Sequence, residues 1–289
     1  MSTLDPRLHA YRADLAATSL RDQVSASRYV AGKPAQVVRG VADVRRRPEA
    51  AAPLDTQFLC GEQVTVYDEA DGWAWAQNAA DGYVGYVQSS VLGAEIHAPT
   101  HSVAVLRTFL YPEPNIKTPP VDCLSMSSPV TVAGTKDRFS EVRLAKPGAG
   151  GWIYSTHLAA PSAVARDHLE TARQFLWAPY LWGGKSSLGL DCSALIQIAL
   201  NRAGIPCPRD SYMQATTVGS PVPFDTHDYT QRRGDLIYFP GHVAIATDET
   251  MVLSPNGHAM LVTIEPLADL LGRVHAESGG RGIIAVRRL

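Results

Sequence analysis

The 289-residue sequence lacks any long hydrophobic run, and no stretch approaches the roughly 20 apolar residues of a membrane-spanning helix. Its first residues, MSTLDPRLHAYRADL, carry charges throughout and contain no apolar core of signal-peptide length. We therefore expect a protein that makes no use of a membrane, is not exported by the usual route and stays in the cytoplasm.

An excess of charge of either sign is also missing. The chain has 26 Lys and Arg against 28 Asp and Glu, for a net charge of −2. Nucleic-acid-binding domains usually present a basic patch, and the one basic cluster here, Arg45 to Arg47, is better interpreted as a solvated loop. We expect no nucleic-acid partner.

Cysteine is scarce, and none of it is arranged in CxxC pairs. Cys60, Cys123, Cys192 and Cys207 are scattered along the chain, so the spacing indicates neither a metal site nor a disulfide framework. The sequences around Cys60, Cys123 and Cys207 favour the role of a small buried hydrophobic residue for each of them.

The chain divides into segments of different character. Residues 1–35 are a polar, partly helical lead-in with a weak apolar stripe. Residues 36–95 and 100–160 each contain alternating stretches, a VTV strand, an acid-containing turn and a final GYVGYV or GGWIYS strand. This repetition predicts an internal duplication of small β-barrels. Residues 164–289 combine helical segments with strands and predict an α+β domain.

The stretch YLWGGKSSLGLDCSALIQIAL, residues 180–200, places one cysteine where a glycine-rich loop becomes a helix. Leu195, Ile196 and Ala199 follow Cys192 at helical spacing, and Asp191 is a good N-cap residue. The positive end of a helix dipole favours an anion, so we expect the pKa of the Cys192 thiol to be lowered. The glycines would let a substrate backbone approach the sulfur.

A nucleophilic thiol needs a base beside it. The best candidate is His242 in GDLIYFPGHVAIATD, where it begins a strand whose small alanines share its face. A third residue should orient the imidazole, and Ser254, Asn256 and His258 lie downstream as candidates. A cysteine at a helix N-terminus followed by a histidine on a strand is far more specific than either residue alone.

Taken together, PYLWGGKSSLGLDCSALIQ, PRDSYMQ and GDLIYFPGHVAIATD resemble the NlpC-type papain-like cysteine peptidases that cut cell-wall peptides. The two barrel segments resemble bacterial SH3-like domains. The resemblance implies a multidomain protein in which two small all-β barrels precede an α+β papain-like peptidase domain over residues 164–289. It also implies that Cys192 is the nucleophile and that His242 is the general base.

The resemblance extends to the substrate side of the site. It implies that Tyr180 and Trp182 line the groove, and that Ser193 and Ser211 lie near the bound peptide. Asp191 would receive a free α-amine, and the backbone N–H of Cys192 would help to form an oxyanion hole.

The implied substrate is a murein peptide, L-Ala-γ-D-Glu-diamino acid, with a free N-terminal L-Ala. The bond cut would be the γ-D-glutamyl–diamino acid bond, without metal or organic cofactor, and the first SH3-like domain would restrict the groove to short peptides. Cytoplasmic recycling of wall peptides fits the missing signal sequence.

The sequence departs from the family pattern at two places. Ala194 stands where DCSG would have glycine, and Ser254 stands where a third catalytic residue, usually histidine, is expected. Serine orients an imidazole more weakly than histidine does, and His258 is the alternative third member. Two other functions stay open: an impaired homologue that binds murein peptides, and an amidase or acyltransferase of the same fold.

Overall fold

The computed structural model describes residues 4–226 and 229–289. Two compact units divide the chain, Met1–Ala163 and Val164–Leu289. The first three residues of the predicted lead-in lie outside the described residues. No helix in the described part of the chain is long and apolar enough to cross a membrane.

The lead-in is strand-like rather than partly helical, so that prediction is wrong. It contains a 3₁₀ turn at Thr18–Leu20 and three short strands: β1 (Tyr11–Arg12), β2 (Leu15–Ala17) and β3 (Tyr29–Val30). Leu15 and Leu20 are buried in one cluster with Trp75 and Val84. Packing against the following domain therefore overrides a weak helical periodicity.

The next part of the first unit is a seven-stranded antiparallel sheet with the order β10-β4-β7-β8-β9-β5-β6. Its strands are β4 (Lys33–Val37), β5 (Val41–Arg45), β6 (Leu54–Leu59), β7 (Gln63–Ala70), β8 (Trp73–Asn78), β9 (Val84–Gln88) and β10 (Leu92–Gly93). On β5, the buried Ala42 and Val44 flank the exposed Asp43, as the alternation of a strand requires. Both share one buried core with Phe58 of β6.

The last part of the first unit repeats this plan. Its strands are β11 (His101–Val103), β12 (Arg107–Leu110), β13 (Asp122–Ser125), β14 (Pro129–Lys136), β15 (Phe139–Arg143), β16 (Gly150–Tyr154) and β17 (Leu158–Ala159). The order β16-β15-β14-β11-β17 and the pair β12-β13 match the pairing of the corresponding strands in the first sheet. Asp71 and Asp137 occupy equivalent turns with the same positive φ of 52°.

The second unit is built on a six-stranded antiparallel sheet with the order β20-β25-β21-β22-β23-β24. Its elements are α1 (His168–Arg173), β18 (Lys185–Ser186), β19 (Gly189–Leu190), α2 (Cys192–Arg202), α3 (Ser211–Thr217), β20 (Ser220–Pro221), β21 (Leu236–Phe239), β22 (His242–Ala246), β23 (Met251–Asn256), β24 (Leu261–Pro266), α4 (Leu267–Glu277) and β25 (Ala285–Arg288). The sequence did not predict β23, α3 or α4.

The helix predicted after the glycine-rich loop is confirmed as α2. Asp191 is its N-cap, and the carboxylate accepts a hydrogen bond from the Ala194 amide at 2.9 Å. The helix packs against β22 and β23, and every side chain from Cys192 to Leu200 is buried. The start of α2 and the start of β22 are thereby held together.

Two glycines before α2 are required by the protein's own backbone. A Cβ on Gly184 would lie 2.4 Å from the Gly189 carbonyl oxygen, and a Cβ on Gly189 would lie 2.9 Å from the Leu181 Cβ. The short β18–β19 hairpin therefore closes only because neither glycine carries a side chain.

Candidate active site

Cys192 lies in the first turn of α2 with its side chain buried. Two backbone amides, those of Ser193 and Val243, face its sulfur. Val243 directly follows His242 at the start of β22, so the packing of α2 on β22 brings the predicted nucleophile to the predicted base.

The pKa of the Cys192 thiol is raised to about 12, which is opposite to the expected direction. Burial is the largest cause, and the negative charge of Asp191 adds to it. The two facing amides and the Arg209 guanidinium lower the pKa of the thiol, but their effect is smaller than the increase caused by burial. Desolvation of the thiolate therefore outweighs the helix dipole in the substrate-free protein.

Burial also keeps His242 neutral. Its pKa is lowered to about 4, first because of desolvation and then because of the positive charge of Arg273, while Asp191 opposes the shift. The ring stacks on Phe239 with 6.1 Å between the centroids. Thiol and imidazole are consequently both uncharged near neutral pH.

Ser254 is the residue that the structure brings to the imidazole. Its buried hydroxyl lies 3.2 Å from His242 Nε2. In the tautomer with the proton on Nε2, the ring donates to Ser254 Oγ, and Nδ1 is free to accept a proton from a thiol. His258 lies in the exposed turn after β23, and in the described part of the chain its side chain makes no hydrogen bond to the ring.

Asn256, the other downstream candidate, uses its side-chain amide to bind residues of β24. Its Nδ2 donates to Thr263 Oγ1 at 2.9 Å and to Glu265 Oε1 at 3.0 Å. Glu265 also forms an ion pair with Arg273. This polar cluster lies near His242 and contributes the positive charge that lowers the pKa of the imidazole.

Asp191 is bound within the protein by a bidentate ion pair with Arg209. The guanidinium donates to the two carboxylate oxygens at 2.9 and 2.7 Å. Gly183 N and Ser193 Oγ donate to the same carboxylate at 3.0 and 3.1 Å. The Arg209 side chain is only 1% exposed, whereas that of Asp191 keeps 12% of its surface exposed.

Ser193 is part of the same cluster. Its hydroxyl accepts a hydrogen bond from Arg209 Nη1 at 2.8 Å, and its carbonyl accepts one from Gln214 Nε2 at 2.9 Å. Gln214 belongs to α3, which begins at Ser211. The cluster thereby links the start of α2 to the helix on which the predicted Ser211 lies.

Two aromatic residues precede the hairpin. Tyr180 is half-buried, and its pKa is raised to about 12 by burial and then by the nearby Cys192 and Asp191. Trp182 is 67% exposed on the loop. The structure therefore places Tyr180 close to the sulfur and leaves Trp182 available at the surface.

Sequence reasoning missed Arg209 and the cluster of Asn256, Glu265 and Arg273. Arg209 stands in the quoted PRDS segment, but nothing local shows that its side chain is buried against an N-cap 18 residues earlier. The one general rule that could have suggested the pair is that an arginine, if buried, needs a carboxylate partner.

The arrangement of these groups is that of nucleophilic acyl transfer. A thiol at the N-terminus of α2 packs against the strand that begins with an imidazole, and a serine hydroxyl lies within hydrogen-bond distance of that imidazole. These are the parts that a covalent mechanism through cysteine requires. Among the described residues, no group of three His, Cys, Asp or Glu side chains is placed to hold a metal ion.

Two family models match the chain. Residues 177–269, which include Cys192, His242 and Ser254, match the NlpC/P60 family. Residues 44–92 match the bacterial dipeptidyl-peptidase SH3 domain.

Curated relatives match over most of their length. Dipeptidyl-peptidase 6 of Lysinibacillus sphaericus is 28% identical over 236 residues, which are 74% of this chain and 84% of the relative. The γ-D-glutamyl-L-lysine dipeptidyl-peptidase of Bacillus cereus is 28% identical over 260 residues, 80% of this chain and 75% of the relative.

Among solved structures, an NlpC/P60 family protein from Bacillus cereus shares the fold. The TM-score is 0.74 at 21% identity, and the match covers 89% of this chain and 99% of that one.

Proposed function

Because the chain is a cysteine peptidase of the NlpC/P60 type that carries a bacterial SH3 domain, we propose that it is an endopeptidase for the γ-D-glutamyl–diamino acid bond of murein-derived peptides. The substrate would carry a free N-terminal L-Ala. The observation that carries the proposal is the packing of α2, which begins at Cys192, against β22, which begins at the Ser254-bound His242. The name of the Bacillus cereus relative, γ-D-glutamyl-L-lysine dipeptidyl-peptidase, supports the choice of bond.

The proposed reaction starts from the neutral thiol–imidazole pair. As Cys192 Sγ attacks the scissile carbonyl carbon, the thiol proton passes to His242, and the carbonyl oxygen becomes an oxyanion beside the Cys192 N–H. His242 then gives the proton to the leaving amine, and the C–N bond breaks to leave an acyl-enzyme. Water, deprotonated by His242, attacks the thioester and releases the γ-D-glutamyl acid and the free thiol.

Five residues are proposed to bind the acyl half of the substrate: Tyr180, Trp182, Asp191, Ser193 and Ser211. The proximity of Tyr180 to Cys192 and the exposure of Trp182 support a groove wall before the sulfur. Asp191 would meet the α-amine of L-Ala at the exposed edge of its carboxylate, while the remainder stays bound to Arg209.

We also propose that residues 36–95 and 100–160 are both SH3-like domains and that residues 164–289 form a papain-like α+β domain. The matching strand pairings of the two segments support the duplication. The equivalent aspartates in the β7–β8 and β14–β15 turns support it further.

A role in recycling wall peptides in the cytoplasm is part of the same proposal. All four cysteines are free thiols, which is the state that a reducing compartment maintains. Fractionation of native cells followed by immunoblotting tests the location, and recovery of the protein outside the cytoplasm would refute it.

One observation favours a second candidate, a murein-peptide-binding protein with impaired catalysis. Ser254 offers the imidazole only a hydroxyl at 3.2 Å, and a neutral hydroxyl stabilises an imidazolium less than a charged partner does. Binding without turnover would then be the function that remains.

Incubation with L-Ala-γ-D-Glu-meso-diaminopimelate, followed by mass spectrometry, separates the two candidates. The endopeptidase releases L-Ala-γ-D-Glu and free diaminopimelate, and the Cys192→Ala variant releases neither. Binding of the intact peptide by the native protein without cleavage would favour the binding protein instead. Cleavage that persists in Cys192→Ala would refute the assigned nucleophile.

A further inference from the structure

A cavity of about 640 Å³ opens beside His242 in the second unit. Its walls are the segment before β22, the turn after β23, and α4 with the residues that follow that helix. Cys192 is not among the described residues that line it, whereas His242 is. The cavity therefore lies on the histidine side of the Cys–His pair.

This position determines which half of a substrate can enter the cavity. The general acid must lie within hydrogen-bond reach of the amine that it protonates. The acyl half stays bonded to the sulfur after the first step, while the leaving amine is next to the imidazole. The leaving residue of the proposed reaction, the diamino acid, therefore extends into the cavity beside His242.

The cavity wall carries charges of both signs. Arg273 already forms an ion pair with Glu265. Glu277, on the last turn of α4, and Arg281, just beyond it, are both exposed and form no ion pair with any residue that the structure describes. Arg281 Nε donates to the Ser278 carbonyl at 3.2 Å, which leaves the other guanidinium nitrogens available to a ligand.

These two charges complement a particular kind of diamino acid. The distal ammonium of any diamino acid can pair with Glu277. A distal carboxylate on the same carbon, as in diaminopimelate, can in addition form a charge-assisted bidentate pair with Arg281. Lysine has the distal ammonium but has no distal carboxylate to offer to the guanidinium.

We propose that the cavity beside His242 binds the leaving diamino acid, and that Arg281, together with Glu277, selects a diamino acid whose distal carbon carries both an amine and a carboxylate. The inference rests on the proposed endopeptidase function and names the determinant of its specificity. Arg281 is a specificity residue here, because it contacts the part of the substrate that does not react.

The test compares two peptides, L-Ala-γ-D-Glu-meso-diaminopimelate and L-Ala-γ-D-Glu-L-Lys, with the full-length protein. Arg281→Gln should lower kcat/KM about tenfold for the diaminopimelate peptide and change that for the lysine peptide by no more than about twofold. Arg232→Gln, which removes an exposed arginine outside the cavity wall, should change neither value. An equal loss on both peptides, or no loss on either, would overturn the selective role of Arg281.

Binding measurements keep this inference separate from the catalytic proposal. In the Cys192→Ala background, calorimetric titration should show tighter binding of the diaminopimelate peptide, and Arg281→Gln should remove that preference. Glu277→Gln should weaken binding of both peptides to a similar degree, because both carry the distal ammonium. If the native protein cleaves neither peptide but shows this binding pattern, the proposed hydrolysis is refuted and the proposed subsite is supported. If binding shows no Arg281-dependent preference, the subsite fails whatever the protein cleaves.

Discussion

At the scale of the residue, the reacting pair is uncharged in the substrate-free protein. Burial raises the pKa of Cys192 and lowers that of His242, because low dielectric surroundings penalise thiolate and imidazolium alike. The proposed attack on a carbonyl therefore starts from the neutral thiol and the neutral imidazole. The neutral ground state is a consequence of how completely α2 is covered.

The first prediction concerns the titration of His242. Its pKa is lowered from 6.5 to about 4, so the neutral ring persists as the pH falls until about pH 4. Between these two values the unfolded chain binds a proton at His242 more readily than the folded protein does. The contribution of His242 to the free energy of unfolding is therefore fully present above pH 6.5 and is lost as the pH falls from 6.5 towards about 4. An NMR titration of the imidazole protons, assigned with a His242→Gln variant, measures the value. A titration midpoint near 6.5 would contradict the burial argument.

The second prediction distinguishes Ser254 from His258 as the third member of the site. Ser254→Ala removes the only side-chain hydrogen-bond partner that the described structure gives the His242 ring, and kcat should fall about tenfold with little change in KM. Ser254→Thr keeps the hydroxyl and should retain most of the activity. His258→Ala, in the exposed turn, should change kcat by no more than about twofold. A large loss in His258→Ala with an unaffected Ser254→Ala would reverse the assignment.

At the scale of the element, the start of α2 depends on the hairpin before it. The β18–β19 hairpin presents the Gly183 amide to the Asp191 carboxylate, and that carboxylate caps α2. The hairpin is closed by the approach of Gly184 to the Gly189 carbonyl. The position of the nucleophile is thus set by backbone contacts in a segment that has little regular structure of its own.

The third prediction uses two glycine substitutions in the second unit. In Gly184→Ala the new Cβ would lie 2.4 Å from a backbone oxygen, so the hairpin must shift and the protein should lose about 1–3 kcal/mol of stability. In Gly272→Ala, inside α4, the new Cβ meets no atom within 4 Å, and the protein should gain about 0.5–1 kcal/mol. Urea unfolding followed by circular dichroism measures both. Equal stability of the two variants would show that the close approach does not constrain the hairpin.

At the scale of the whole molecule, each unit has a hydrophobic core of its own. One hydrophobic core of the second unit is formed by residues between Ile237 and Val286, on β21, β22, β23, β25 and α4. The clusters around Phe58, Leu124 and Leu15 lie within the first unit. The proposed catalytic groups, Cys192, His242 and Ser254, all belong to the second unit.

The fourth prediction follows from that division. A fragment of residues 164–289 should fold by itself and unfold cooperatively in urea, because the buried cluster between Ile237 and Val286 is formed entirely by residues of the fragment. Circular dichroism and the binding of a hydrophobic dye provide the measurement. A broad, non-cooperative transition with strong dye binding would indicate that the fragment lacks fixed packing and needs the first unit to fold.

The features that the sequence determined by itself are those governed by near neighbours. The spacing of Leu195, Ile196 and Ala199 determines the helix, and Asp191 determines where it begins. The alternation around Val243 and Ile245 determines the strand on which His242 stands. Such preferences act over a few residues and can therefore be read without knowledge of the fold.

Tertiary structure alone decided the rest of the site. Ser254 and His258 both follow His242 in the sequence, and only the pairing of β23 beside β22 brings the serine hydroxyl to the ring. The buried partner of Asp191 is Arg209, on a segment that local patterns do not orient. The pKa of Cys192 follows the same rule: the helix terminus favours the thiolate, but burial beneath distant elements exceeds that local effect, because desolvation depends on everything that covers the sulfur.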